Sequence, residues 1–406
     1  MADLFRFLGA CLRELTRGGR VYWATLAVLA IPIALGVRAY ATQLEHGLAV
    51  TGMGDEVLWG VYISNFAYLV GIAAAAVMLV IPAYIFHQAE AKRLVLIAEG
   101  VAVAACLMAL LFVVADLGHP ERAILLMPGI GSLNLPSSML AWDVMVVPGY
   151  FLLNLGVPAV VLYHRFHGRP VPERWLFPIV VLTMFWAIAL HTVTAFLFSS
   201  DVARPFWHTA LLGPRFLASA FASGPAFLII VLLLAYWRTG LHVPPGVVRL
   251  LAVITTVALQ VNLVMLLSEA FTALYRETEH SASAIYLFFG LGEARALVPW
   301  IRASIAMQLV AVTVLMIEPL RRGTPTLILA CVLTAVGVWI EKGMGLIVPG
   351  FVPTPLGEVV EYTPSAIEIQ VSFGIWAVGA VAFILLAKVA TAIDQGRLAA
   401  AARVPT

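Results

Sequence analysis

Ten stretches of this 406-residue chain are each long and apolar enough to cross a lipid bilayer, and nothing else in the sequence limits its fold so tightly. A helix that spans the hydrocarbon needs about 20 mostly apolar residues. The segments 20–38, 57–86, 94–115, 142–163, 175–198, 208–236, 247–268, 298–318, 325–347 and 371–393 meet that requirement. A spanning backbone must satisfy its own polar groups, so each segment is expected as a helix. The fold class that follows is an all-α integral membrane protein with ten transmembrane helices. Pro82 and Pro225 are placed to kink the second and sixth spans, which are the longest.

Charge orients the bundle, because cytoplasmic loops are enriched in Lys and Arg. With the N-terminus inside, the outer segments hold only Arg38, Arg122, Arg204, Arg215, Arg276, Arg295, Arg302 and Lys342, and the other sixteen of the 24 basic residues face inside. An odd number of spans breaks this alternation, so both termini are expected in the cytoplasm and the chain in the inner membrane of a bacterium. Three regions result. Residues 1–19 form an amphipathic cytoplasmic segment without the apolar core and cleavage site of a signal peptide. Residues 20–393 form the transmembrane domain, and 394–406 a short cytoplasmic tail. Charged residues are only 11% of the chain and the net charge is +2, which leaves no nucleic-acid footprint.

The polar chemistry collects at the outer face. "DLGHPERA" (116–123) ends the third span, and "AWDV", "SSDVARPFWH", "SEAFTALYRETEH" and "EKGMGL" lie on the same side. Asp143 opens the fourth helix, as a helix cap or as a proton acceptor at the membrane edge. Glu269 ends the seventh span, where an anion is disfavoured; it calls for a partner such as Arg276 or another outer Arg. Glu341 and Lys342 adjoin each other and read as an ordinary interfacial pair. Asp116 with Arg122, and Asp201 with Arg204, read as loop salt bridges. Trp142, Trp207 and Trp300 fall where an aromatic belt belongs. Deep in the spans the sequence leaves little besides His191 and Asn65. An intramembrane His is a functional candidate by default, whereas Asn65 beside the small-residue run Gly71–Ala76 reads as packing glue. His191 has no second deep His for a bis-His haem. Cys11, Cys106 and Cys331 are too few for an iron–sulfur cluster, which usually takes four thiolates. No haem, iron–sulfur cluster or other metal site is expected on this chain.

"DLGHPERA", "SSMLAWDV", "LHTVTAFLFS" and "FWHTALLGPRFLASAFASG" resemble the NrfD/PsrC family, the membrane subunits of polysulfide-reductase-like complexes. His119 departs from the family's usual Arg. The ten spans and the segment following Glu341 are most similar to the family's long DsrP branch. The resemblance implies two four-helix bundles with flanking helices and a quinone (menaquinone or ubiquinone) pocket near the outer face. It implies a periplasmic iron–sulfur, ferredoxin-like partner subunit, with the other membrane and cytochrome subunits of a Dsr-type complex of dissimilatory sulfur metabolism. In such a site His119, Asp143 and Glu269 match the required acid–base groups in type and side. Asp116 and Arg122 would brace the loop, Asn65 would lie near the pocket, and His191 would relay protons. The rival readings are an ion-coupled secondary transporter, whose site would sit at the midplane, and a purely structural membrane anchor.

Overall fold

The computed structural model describes the chain except for residues 127–128, 276–280, 355 and 401–406. Among the described residues there is no β-strand, only a lone bridge between Leu291 and Ala294, and ten helices are long and apolar enough to cross a membrane. The protein is an all-α integral membrane protein. Its helices are α1 (Ala2–Leu15), α2 (Arg20–His46), α3 (Val61–Ile85), α4 (Ala89–Asp116), α5 (Met139–Phe166), α6 (Glu173–Ser199), α7 (Leu212–Thr239), α8 (Pro245–Leu274), the short α9 (Ala282–Phe288), α10 (Val298–Met316), α11 (Thr324–Lys342) and α12 (Ala366–Asp394).

Local chemistry fixes the helix ends. α2 runs past residue 38 because Ala, Gln, Leu and Glu continue the helix. Gly47, in the left-handed region at φ 72°, stops it. Pro82 sits in a widened π turn at the end of α3. Ser138 caps α5 by accepting the Ala141 N–H at 3.3 Å, and Ser365 forms a capping box with Glu368 at the start of α12.

Helices α3, α4, α5 and α6 pack as one bundle and α7, α8, α10 and α11 as a second, with α3 and α6 joining the first to α7. α2 and α12 lie together outside the first bundle, α12 against α4. They touch through glycine: a Cβ on Gly36 would come within 2.8 Å of the Gly374 Cα. Small residues let backbones approach this closely, which is how helices associate where lipid removes the hydrophobic drive. α1 and the end of α12 lie on one face, here called the termini face, since ten crossings return the chain to its starting side. There α1 lies on the bundle, with Phe7 and Ala10 against Phe166 and Ile393. Asp3 pairs with Arg169 at 3.1 Å and Glu14 with Arg397 at 3.7 Å. The opposite face carries the described parts of the loops 117–138, 200–211, 275–297 and 352–365.

Candidate functional site

The second bundle encloses a charged core at its loop-face end. Arg215, in the first turn of α7, is a cation where the helix dipole disfavours one; three neighbouring helices account for its place. Its Nε and Nη2 donate to one oxygen of Glu341 on α11, at 3.1 and 2.7 Å, and its Nη1 donates to Glu269 on α8. The other Glu341 oxygen accepts from Asn262 on α8 at 2.9 Å and from Gln308 on α10 at 2.7 Å. Ser304 accepts from Gln308 at 3.1 Å and donates to the Gly337 carbonyl at 2.7 Å. Every helix of the bundle thus contributes to one network. Glu341, Asn262 and Gln308 are fully or almost fully buried. A buried carboxylate persists only when paired and hydrogen-bonded, and Glu341 has both.

Beside this core lies a cavity of about 320 Å³ at the loop face. Its polar lining includes His208, Thr209, Arg215 and Glu269, and its apolar lining includes Leu266, Leu287 and Phe288. The loop that brings His208 and Thr209 here is held from below by Trp207. That ring stacks on Trp59 at 5.7 Å, meets Phe351 edge-on at 5.0 Å and donates its N–H to the Leu346 carbonyl at 2.8 Å. Gly350 makes room for it, since a Cβ there would sit 2.0 Å from the indole. His208 is fixed through Nδ1, 2.9 Å from the Ser199 carbonyl. Oε2 of Glu269 is taken by Arg215, while Oε1 is buried with no hydrogen-bond partner among the described residues. A carboxylate on the cavity wall, with a guanidinium holding one of its oxygens, is of the right chemistry to take a proton from a ligand there. Tyr286 of α9 keeps its phenol protonated, because burial pushes it up to about 12, with Glu361 adding to the shift.

The structure separates the three expected acid–base residues. Glu269 lines the cavity; Asp143 and His119 do not. Asp143 is buried in the first bundle and accepts the Thr194 hydroxyl at 2.8 Å. It does not cap its helix, a role that Ser138 fills. His119 is exposed on the 117–138 loop, with Nδ1 2.8 Å from Glu121. The Glu121 carboxyl is held low, first by its backbone N–H and then by His119. Asn65 joins three helices: its Oδ1 accepts from Trp339 at 3.1 Å and Trp376 at 3.0 Å, and its Nδ2 donates back to Val61. His191 is fully buried, with Nδ1 2.7 Å from the Ala187 carbonyl.

Several expectations need correction. Glu341 and Lys342 are not an interfacial pair: both are buried, Glu341 turns to Arg215, and the Lys342 ammonium lies 4.1 Å over the Phe216 ring. The loop salt bridges are not formed. Arg122 is exposed, and the Asp116 Oδ1 is buried without a hydrogen-bond partner among the described residues. Asp201 accepts the Ala203 N–H instead, and Arg204 lies 4.7 Å over the Phe351 ring. Trp207 is a buried wedge and not a belt residue. The spans also hold more polarity than His191 and Asn65: Glu99, Asn154, Asn262 and Gln308 are all buried within them. One expectation holds: Glu269 pairs with another outer Arg, Arg215, while Arg276 lies outside the described residues. The sequence did carry signals for these residues, since cations are unfavourable in a first helical turn and amides and acids are costly in apolar spans.

Residues 49–353 match the family described as polysulphide reductase, NrfD. The chain is 27% identical over 390 residues to a protein of Halobacterium salinarum provisionally named as a dimethyl sulfoxide reductase membrane subunit, covering 87% of this chain and 88% of that one. It is 27% identical over 233 residues to an Hdr-like menaquinol oxidoreductase integral membrane subunit of Archaeoglobus fulgidus, covering 57% and 56%. It is 24% identical over 294 residues to one of the selenate reductase subunits of Mesobacillus selenatarsenatis, covering 64% and 67%.

Proposed function

The chain belongs to the NrfD polysulphide reductase family, and from that membership we propose that it is the quinone-binding membrane subunit of a multisubunit redox complex. It exchanges electrons between the membrane quinone pool and an iron–sulfur partner at the loop face. The observation that carries this reading is the cavity beside Glu269. Small-ligand pockets start near 300 Å³ and combine apolar walls with a few placed polar groups. This one is about 320 Å³, with Leu266, Leu287 and Phe288 for a ring and His208, Thr209, Arg215 and Glu269 for its oxygens. A head group fits, with its tail in the lipid beside the exposed Leu267 and Phe271 of α8.

A bound quinol supplies two electrons and two protons to the site. Glu269 takes one proton on its free oxygen, and the second leaves to water through the open mouth of the cavity at the loop face. The two electrons pass to the iron–sulfur partner, and Arg215 keeps the carboxylate aimed between turnovers. Glu341 neutralises Arg215, so the pair sits in the bundle without a net buried charge. His208 and Thr209, also on the cavity's polar lining, orient the head group. The name of the Archaeoglobus relative, a menaquinol oxidoreductase subunit, supports the quinone assignment. The finer reading places the loop face in the periplasm, both termini in the cytoplasm, and the chain in a Dsr-type complex of sulfur metabolism. It gives the exposed 117–138 loop with His119 to the partner subunit.

Binding of a short-chain naphthoquinone to the purified chain tests the assignment, read by tryptophan fluorescence with Trp207 beneath the cavity. Ala284→Trp fills the cavity and abolishes binding if the site is correct. Unchanged binding by that variant refutes it.

A further inference from the structure

α1 has a second apolar side that the bundle leaves bare. At about 100° per residue the helix divides into three sectors. One holds Phe7, Ala10 and Cys11, packed on α5 and α12. The next holds Leu4, Phe5, Leu8 and Leu12, whose exposure runs from 46% to 69%. The third holds Arg6 and Arg13, both exposed. Each sector is centred roughly 100–135° from its neighbours. A contiguous apolar strip of this kind marks contact with a protein or a membrane.

The placement of α1 decides between them. Asp3, in its first turn, pairs with Arg169, and Glu14, in its last, pairs with Arg397. Arg169 lies three residues beyond the end of α5 and Arg397 three beyond the end of α12. The axis of α1 therefore runs level across the termini face, in the plane of the membrane. Leu162 and Val389, about one turn inside the ends of α5 and α12, pack against the same cluster as Phe7. α1 thus lies beside the last turns of those helices, at their depth. Trp23 and Trp175 are exposed within about 5 Å of the termini-side ends of α2 and α6, where aromatic side chains mark the boundary between lipid and water. With the bundle on one flank, the two free sectors of a level helix at this boundary face lipid and water, and the apolar one takes the lipid.

Charge complementarity points the same way. Asp3 and Glu14 are held by arginines of the bundle and its tail. Arg13, Arg17 and Arg20 are exposed and form no ion pair among the described residues. Interfacial helices bind by burying an apolar side at the acyl boundary while basic residues attract anionic lipids.

We infer that α1 is an in-plane membrane anchor that binds anionic lipid. Leu4, Phe5, Leu8 and Leu12 enter the lipid at the termini face, and Arg13, Arg17 and Arg20 hold phosphate head groups there. The anchor is independent of the quinone reading.

The full chain in lipid nanodiscs tests it. In a Cys11→Ser background, a spin label is attached through Leu8→Cys or through Arg6→Cys. Oxygen concentrates in lipid, and a nickel chelate stays in water. The label at position 8 is expected to be relaxed by oxygen and shielded from nickel, and the label at position 6 the reverse. Equal access of nickel to both overturns the inference and leaves the apolar side to a soluble partner. Shielding of position 8 from both reagents also overturns it, because protein, such as a second copy of the chain, then covers that side. A fluorophore attached through Leu12→Cys reads the lipid charge in nanodiscs of equal parts phosphatidylglycerol and phosphatidylcholine, with one or the other brominated. Quenching by brominated phosphatidylglycerol is expected to be several-fold the stronger, and the excess to disappear when Arg13→Gln, Arg17→Gln and Arg20→Gln are combined. Equal quenching by the two lipids in the chain with its arginines intact, or an excess that survives the triple change, overturns the anionic-lipid assignment.

Discussion

Arg215 on α7 gives two hydrogen bonds to a single oxygen of Glu341 on α11, at 3.1 and 2.7 Å, and gives its remaining nitrogen to Glu269 on α8. One side chain thereby ties a buried structural carboxylate to the carboxylate that faces the cavity.

Arg215→Met strands Glu341 in the bundle. Breaking one side of a buried pair costs about 3–5 kcal/mol, so this variant is expected to melt well below the wild type in detergent. Arg215→Met combined with Glu341→Leu removes both charges and is expected to lose much less than the two single changes added together. Simple additivity would show that the two residues are not coupled.

Glu269→Gln keeps the shape and removes the base. General acid–base assistance is worth about a hundredfold to ten-thousandfold, so quinone-linked electron transfer in the assembled complex is expected to fall by that range. Stability is expected to change little, because the amide oxygen still accepts from Arg215. Near-normal turnover would remove Glu269 from the chemistry.

Much of the architecture could be read from the sequence because lipid imposes a simple rule. Every span must be a long apolar helix, and all ten segments could be counted, with ends that shifted where Ala, Gln and Glu prolonged α2 or Ser138 started α5. The site was harder to read. Glu269 stood out because an anion at a helix C-terminus needs a partner, but the partner lies 54 residues away in sequence at Arg215. Glu341 and Lys342 looked like a local pair because sequence neighbours invite pairing. On a helix adjacent residues point in different directions, and these two serve different contacts. Glu99, Asn262 and Gln308 sit alone among apolar residues, and only packing shows what they face.

Gly36→Val is expected to detach α2 from α12. Its Cβ would meet backbone at 2.8 Å, and overpacking of this kind costs about 1–3 kcal/mol. Limited proteolysis in the α2–α3 loop reads the effect, and wild-type resistance would contradict the glycine contact.

Thiol labelling checks the topology and the docking of α1. Arg169→Cys and Ser132→Cys flank α5 and are expected to label from opposite sides of the membrane. Burial raises the Cys11 thiol above its ordinary value, so less thiolate is present at neutral pH and its labelling is expected to be slow, quickening as pH rises. Cys106 and Cys331 are buried in the spans and are expected to stay unlabelled. Labelling of both loop cysteines from one side would contradict the ten-helix path.

The most direct test of the central claim is a photoreactive quinone cross-linked to the intact complex and mapped by mass spectrometry. Label is expected on the cavity walls, at 205–215 and 266–273 or on α9, and is expected to be lost in Ala284→Trp. Label concentrated instead around Asp143 and Thr194, and unaffected by Ala284→Trp, would place the quinone in the first bundle and contradict a site beside Glu269.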